Sequence, residues 1–194
     1  MKKIISTFGI SIIASIFIVG LGISYAIFQT SDNTINTSDV QMELERYKTA
    51  ENLATQHLQT FDELDFEMFT NQNWDGLTKS HSQDIIVYWP DGYHSEGLES
   101  HIEDLKAMFV YAPDTRIQEH PVRIASGEWT SVIGVMEGTF TEPMPLPDGS
   151  SIPPTGKSFK LKMSTVGHWK NGVMDEEYLF WDNQSFMKQI GLSP

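Results

Sequence analysis

Apolar residues recur three or four apart from Leu44 to Leu64 (Leu44, Tyr47, Leu53, Ala54, Leu58, Phe61 and Leu64), the period of an amphipathic helix. A short second helix is predicted around Trp74 to Lys79. It leads into a strand, Asp84 to Trp89, that the turn Pro90-Asp91-Gly92 closes. A third helix carries Leu98, Ile102, Leu105, Met108 and Phe109 on one face and stops before Pro113. Beyond it the period drops to two. Arg116 to Ala125, Thr130 to Thr141, Ser158 to Trp169 and Met174 to Trp181 read as strands. Prolines 143, 145, 147, 153 and 154 make the link Glu142 to Gly156 an irregular excursion over the surface or the mouth of the fold. Asp182 and Asn183 are placed to cap a short terminal helix.

Helices first and a β-meander after them predict an α+β domain. It would be a cone-shaped, strongly curved antiparallel sheet with three helices on its concave face, and such a cone leaves an apolar cavity between the layers. Phe159, Leu161, Met163, Thr165, Gly167 and Trp169 alternate with mostly polar neighbours, so the odd positions of that strand face inward. The last strand is mixed on both faces, and the Asn171-Gly172 turn decides its register. A two-residue type I′ turn pairs Thr165 with Tyr178 and turns Glu177 away from the cavity. A type I turn with a glycine bulge pairs Thr165 with Leu179, Met163 with Trp181 and Gly167 with Glu177, and turns Glu177 inward. A one-residue slip reverses the whole strand, so pattern alone leaves both open.

The segment Ile4 to Phe28 holds no charged residue and follows Lys2 and Lys3. Its length suits a membrane span, and the lysines before it place the N-terminus inside. A cleaved signal with Ser24-Tyr25-Ala26 as its processing site is the alternative; either way the following domain is exported, membrane-anchored or secreted. Residues 1–28 are thus the expected anchor, 29–41 a polar linker and 42–194 the folded domain. Lysine and aspartate balance within residues 1–40, so the net charge of −13 belongs to the rest of the chain. That charge disfavours nucleic acid as a partner. With no cysteine, disulfides, thiolate metal sites and cysteine nucleophiles are excluded.

Gly97-Leu98 at the start of the third helix, Gly138-Thr139-Phe140, Pro153-Pro154-Thr155-Gly156, Asn171-Gly172 and the closing Gln189-Ile190-Gly191-Leu192 resemble the SnoaL-like polyketide cyclases. That family belongs to the nuclear-transport-factor-2-like superfamily of cone-shaped domains. The resemblance runs over roughly residues 45–192. It implies ring closure by intramolecular aldol condensation without metal or organic cofactor, by an acid/base Asp on the last strand and a His on the strand before it. In this chain those two positions are Leu179 and Thr165. It also favours the bulged register, and sheet-to-sheet homodimers are common among proteins that resemble this one.

Glu177 is the nearby carboxylate able to replace the Asp. In an apolar cone its pKa would rise, which suits a general base; otherwise Asp175-Glu176-Glu177 is a solvated edge. The six histidines, 57, 81, 94, 101, 120 and 168, match no metal-ligand spacing. His168 falls on the outward face, and His57 suits a core position. His94, after the strand-end turn, and His120, at a strand break, are the better pocket candidates. Tyr88, Trp89, Trp129, Met136, Phe140, Met163 and Trp181 are core residues of which a subset, led by Met163 and Trp181, lines the cavity beside Thr165 and Leu179. The expected ligand is a small hydrophobic molecule. Catalysis by proton abstraction alpha to a carbonyl, with no cofactor, stands against a non-catalytic binding or interaction module.

Overall fold

The structure, a computed structural model, describes residues 36–193. The expected membrane segment, residues 1–28, and most of the expected linker lie outside the described residues. Among the described residues no helix is long and apolar enough to cross a membrane.

Helix α1 (Thr37–Glu63) begins inside the expected linker. The Asn36 side chain accepts from the backbone N–H of Ser38, and Asp39 lies in the first turn, where the helix dipole favours a negative charge. Leu44 and Tyr47, expected on the core face, are 50% and 62% exposed because the helix outruns the layer beneath it. Burial begins at Ala54 and continues through His57 and Phe61. The helix then widens into a π turn, Leu64–Phe69, that buries Leu64, Asp65, Met68 and Phe69. A π widening in a helix is commonly a functional feature. A 3₁₀ turn, Trp74–Lys79, follows where the short second helix was expected.

Strand β1 (His81–Tyr88) starts three residues earlier than the pattern suggested, and β2 (His94–Glu96) was not foreseen. Helix α2 (Leu98–Tyr111) places Leu98, His101, Leu105 and Phe109 on its buried face. The expected strand from Arg116 is two strands, β3 (Arg116–Ile117) and β4 (Val122–Ser126), both paired to β5 (Trp129–Thr139). Pro121, without an N–H, stands at the break between them. The proline-rich link forms a small hairpin, β6 (Met144–Pro145) with β7 (Ser151–Ile152). Strands β8 (Ser158–Lys170) and β9 (Val173–Phe180) precede α3 (Asn183–Gln189), whose cap is Asp182, accepting from the Ser185 N–H.

The main sheet runs β2-β1-β9-β8-β5-β3, with β4 also on β5. The expectation of a purely antiparallel sheet needs correction: β1 runs parallel to β9. The β8–β9 hairpin fills one side of β9, and the strand that closes its other side arrives from far upstream, in the same direction. The inward face of β8 is as predicted, with Phe159, Leu161, Met163, Thr165, Gly167 and Trp169 all buried.

The β8–β9 hairpin combines parts of both foreseen alternatives. Asn171 and Gly172 both have positive φ (54° and 86°), the signature of a type I′ turn, and Lys170 pairs with Val173 and Trp169 with Met174. The bulge comes later. His168 pairs with Glu176, leaving Asp175 as the extra residue, so Gly167 faces Glu177 and Thr165 faces Leu179. With one residue added, Met174 and Glu177 both turn inward although three positions separate them. Gly167 makes this possible, because a Cβ there would overlap the Met174 Sδ. The surplus Asp175 is held on the outer face by His168, whose Nδ1 lies 2.6 Å from its carboxylate.

Candidate functional site: a buried His-His-Glu cluster in the cone

Glu177 points into the cone and is buried. Strand β1 brings His81 to it, Nε2 lying 3.6 Å from Glu177 Oε2. Helix α2 lowers His101 onto the same oxygen, Nε2 to Oε2 3.5 Å. All three side chains are buried, and the two imidazoles are 5.2 Å apart between ring centroids. Neither His81 Nε2 nor Glu177 Oε2 has a hydrogen-bond partner among the described residues. The separations exceed the usual range for N–H···O bonds.

The tautomer of His81 follows from its neighbour. Ser80 Oγ lies 3.1 Å from the Leu77 carbonyl oxygen, which only accepts, so the single hydroxyl hydrogen goes there. Ser80 Oγ therefore accepts from His81 Nδ1–H at 2.8 Å. That leaves Nε2 as the nitrogen facing the carboxylate. Burial lowers the pKa of His101 to about 4, against the pull of Glu177, so this imidazole is neutral. Burial alone would raise Glu177, but His81 and His101 together outweigh it and hold its pKa below the ordinary value. The expected elevation is thus overturned: the sequence does not show that two histidines would face this carboxyl.

A second polar group borders the same space. Asp65, from the π turn, is buried, with Oδ2 2.8 Å from His120 Nε2. His120 Nδ1 lies 2.7 Å from Asp62 Oδ1, and Asp62 also accepts from Arg123 at the half-exposed rim. Burial disfavours the charged form of His120, yet its bonds to Asp65 and then Asp62 raise its pKa overall. A carboxylate on each ring nitrogen favours its imidazolium form. Asp65 is raised by burial despite His120, with Glu177 adding to the rise.

The enclosed space among Asp65, His81, His101, Thr165, Glu177 and Leu179 is about 30 Å³, room for about two water molecules. The expected hollow exists, but it is narrow. Trp89 and Trp181 also border an outer vestibule of about 380 Å³, walled by Tyr93, Asp104 and Ala107. Their rings meet edge to face with centroids 6.1 Å apart, forming a roof between the two spaces.

Of the foreseen site residues, Glu177, Trp89, Met136, Met163, Thr165, Leu179 and Trp181 line the inner space. Three do not. Tyr88 faces outward and stacks on Tyr178, centroids 4.6 Å apart, because β1 alternates and Val87 takes the inner face. Phe140 is wholly buried in packing against Tyr111. His94 sits on the edge strand with its side chain 52% exposed, beside Glu96. His120 is buried, as a partner of Asp65 rather than as a wall. His57 is a core residue stacked on Trp169, centroids 4.6 Å apart.

Asp65, His81 and His101 were not singled out from the sequence. Faint signals existed: His101 falls in helical step with Leu98 and Leu105, and His81 shares the parity of Ile85 and Val87. Spacing could not reveal the cluster, since its members lie on three separate elements.

Residues 52–190 match the family model of the SnoaL-like polyketide cyclases. The chain belongs to this family. Among solved structures, IdmH from Streptomyces antibioticus, a candidate polyketide cyclase, is 19% identical, with a TM-score of 0.60 over 70% of this chain and 98% of that one. A candidate SnoaL-like cyclase from Jannaschia sp. CCS1 is 19% identical, with a TM-score of 0.62 over 72% and 94%. A candidate polyketide cyclase from Bacillus cereus ATCC 10987 is 15% identical, with a TM-score of 0.55 over 71% and 80%. At these identities the likeness is one of fold. No curated protein matches the chain.

Proposed function

We propose that this SnoaL-like domain acts on a small hydrophobic carbonyl compound by moving a proton alpha to the carbonyl, a cyclase- or isomerase-type reaction. The observation that carries the reading is the pairing of two unlike carboxyl groups on one apolar cavity. Glu177 is held ionised by His81 and His101 and is a weak base. Asp65, raised by burial, is the stronger base and takes the proton. His120 and Asp62 continue from it to the rim beside Arg123, so the negative charge Asp65 carries before it takes the proton is balanced, and a proton has a path outward. The carbonyl oxygen is turned toward His101, whose neutral imidazole keeps one N–H to donate. The vestibule falls in the size range of ligand pockets, and the ligand reaches the inner space when the Trp89–Trp181 roof opens. The domain does this work outside the cytoplasm, behind the apolar N-terminal segment.

The test is deuterium incorporation alpha to the carbonyl in a panel of small aromatic ketones and β-keto esters in D₂O. Wild type should exchange at least one of them above the buffer rate. Asp65→Asn should lower that rate by about 100-fold or more, the scale of a lost general base, while leaving the compound's thermal shift in place. Unchanged exchange in Asp65→Asn refutes the reading. A non-catalytic binding module is the second reading, favoured by Thr165 and Leu179 at the positions where the family resemblance puts His and Asp. It predicts ligand-induced thermal shifts with no exchange on any compound of the panel.

A further inference from the structure

We infer that His81, His101 and Glu177 form a binding site for one first-row divalent transition-metal cation. The inference takes the cavity to be the reactive site but does not depend on the proton step at Asp65.

Three observations converge on it. First, the ligand atoms have the right kind and separation. His81 Nε2 and His101 Nε2 stand 3.6 Å and 3.5 Å from the same Glu177 oxygen, and one ligand atom from each residue falls within 4.8 Å of the others. A cation with bonds of 2.0–2.1 Å places tetrahedrally arranged ligands about 3.4 Å apart. The same separations are too long for the hydrogen bonds that would otherwise satisfy these groups.

Second, buried polar atoms face each other unpartnered. With Nδ1 of His81 bonded to Ser80, its Nε2 and the Glu177 Oε2 stand 3.6 Å apart, and neither has a hydrogen-bond partner among the described residues. Buried polar atoms without partners are costly. A cation between them would bond both. The Ser80 contact is also the usual outer support of a metal-bound imidazole, whose second nitrogen donates to an oxygen and fixes the ring.

Third, the site is open on one side. The three ligands border the small enclosed space, with Asp65 and Thr165 across it. A three-ligand site of two His and one carboxylate that keeps a free position is the arrangement of catalytic rather than structural metal centres. The free position would take a water or the oxygen of a carbonyl compound. The cation would then act there as a Lewis acid, supplying the positive charge that a carboxylate cannot. Nitrogen and oxygen donors without thiolate fit zinc, iron(II), cobalt(II) or manganese(II) better than copper(I).

The probe is Co²⁺, added to chelator-treated full-length protein in detergent. The expected result is one Co²⁺ per chain, with visible d–d bands that Zn²⁺ abolishes by displacement. Glu177→Gln, His81→Gln and His101→Gln should each weaken binding by about 100-fold, the upper end of what even an outer partner of a metal ligand is worth. His94→Gln, an exposed histidine, should not weaken it. Should the variants fail to fold, X-ray absorption at the cobalt edge of the wild-type complex must still show two imidazoles and a carboxylate. Absence of stoichiometric Co²⁺ binding, tight binding that survives all three substitutions, or an edge spectrum without imidazole overturns the inference. Binding is read without turnover. An Asp65→Asn protein that binds Co²⁺ and still exchanges deuterium would overturn the proton-transfer reading alone, and an active wild type that binds no Co²⁺ would overturn this proposal alone.

Discussion

His57 lies against the face of Trp169, and its environment makes a prediction about acid. Burial lowers its pKa from the ordinary 6.5, only partly offset by a bond to the Gly127 backbone and the charge of Glu128. As pH falls through 6.5 the unfolded ring takes up its proton while the folded one does not, so the unfolded chain binds more protons. Stability therefore rises with pH across that window and is lost on acidification. His120 works the other way: its raised pKa contributes stability below 6.5 that fades as pH rises through the folded value. Thermal melts from pH 7.5 down to 5 should show a smaller loss in His57→Phe, which keeps the stack on Trp169, than in wild type. An equal loss in the two proteins would show that this ring does not set the acid limit. At this scale the sequence was informative about His57 and His168, whose burial or exposure follows from the face of their own helix or strand. It was silent about Asp65, whose meaning comes from His120, 55 positions away.

The element that decides the site is the bulge in β9. Without Asp175 as the surplus residue, the I′ turn would put Glu177 on the outer face and leave His81 and His101 with nothing to meet. Gly167 and Met174 hold the distortion in place. Gly167→Ala forces its Cβ against the Met174 sulfur and within 3.1 Å of Thr130 Oγ1. It should cost roughly 1–3 kcal/mol by overpacking. Adding Met174→Ala removes the main obstruction, so the double variant should be more stable than the sum of the two single losses predicts, a coupling read by urea denaturation. Additive losses would mean that the two side chains do not share this space. The π turn is the other element with a local cause that pattern missed. The period of three or four ran out at Leu64, and nothing in it announced that Leu64 and Asp65 would both be buried.

For the whole molecule, residues 36–193 carry their own core, from Phe61 on α1 to Ile190 at the end of α3. A chain beginning at Asn36 should therefore melt within about 2 °C of the full-length protein, a change worth at most about 1 kcal/mol in a domain of this size. A much lower transition would mean that the N-terminal segment contributes to the fold. The same truncation tests the proposed anchor: full-length protein should pellet with membranes after alkaline washing, and the truncated one should remain in the supernatant. At the mouth, Trp89→Ala removes half of the roof between vestibule and inner space. It should speed the binding of a hydrophobic fluorescent probe by about tenfold in stopped flow, since opening would no longer gate entry. An unchanged rate would place the entrance elsewhere.

Much of this architecture was legible before any coordinates. The helical stripe ending at Phe61 and Leu64, the alternation along β8, the cap at Asp182 and the family resemblance rest on periods and neighbours that span a few residues, and local rules govern them. The parallel pairing of β1 and the meeting of His81, His101 and Glu177 depend on contacts between segments from 20 to 96 residues apart. Such contacts form only when the sheet closes and the buried polar atoms it brings together must be satisfied by one another or by a shared partner. The chain's order therefore carried the cone and its apolar lining. The folded packing alone chose which carboxylates face inward and what stands beside them.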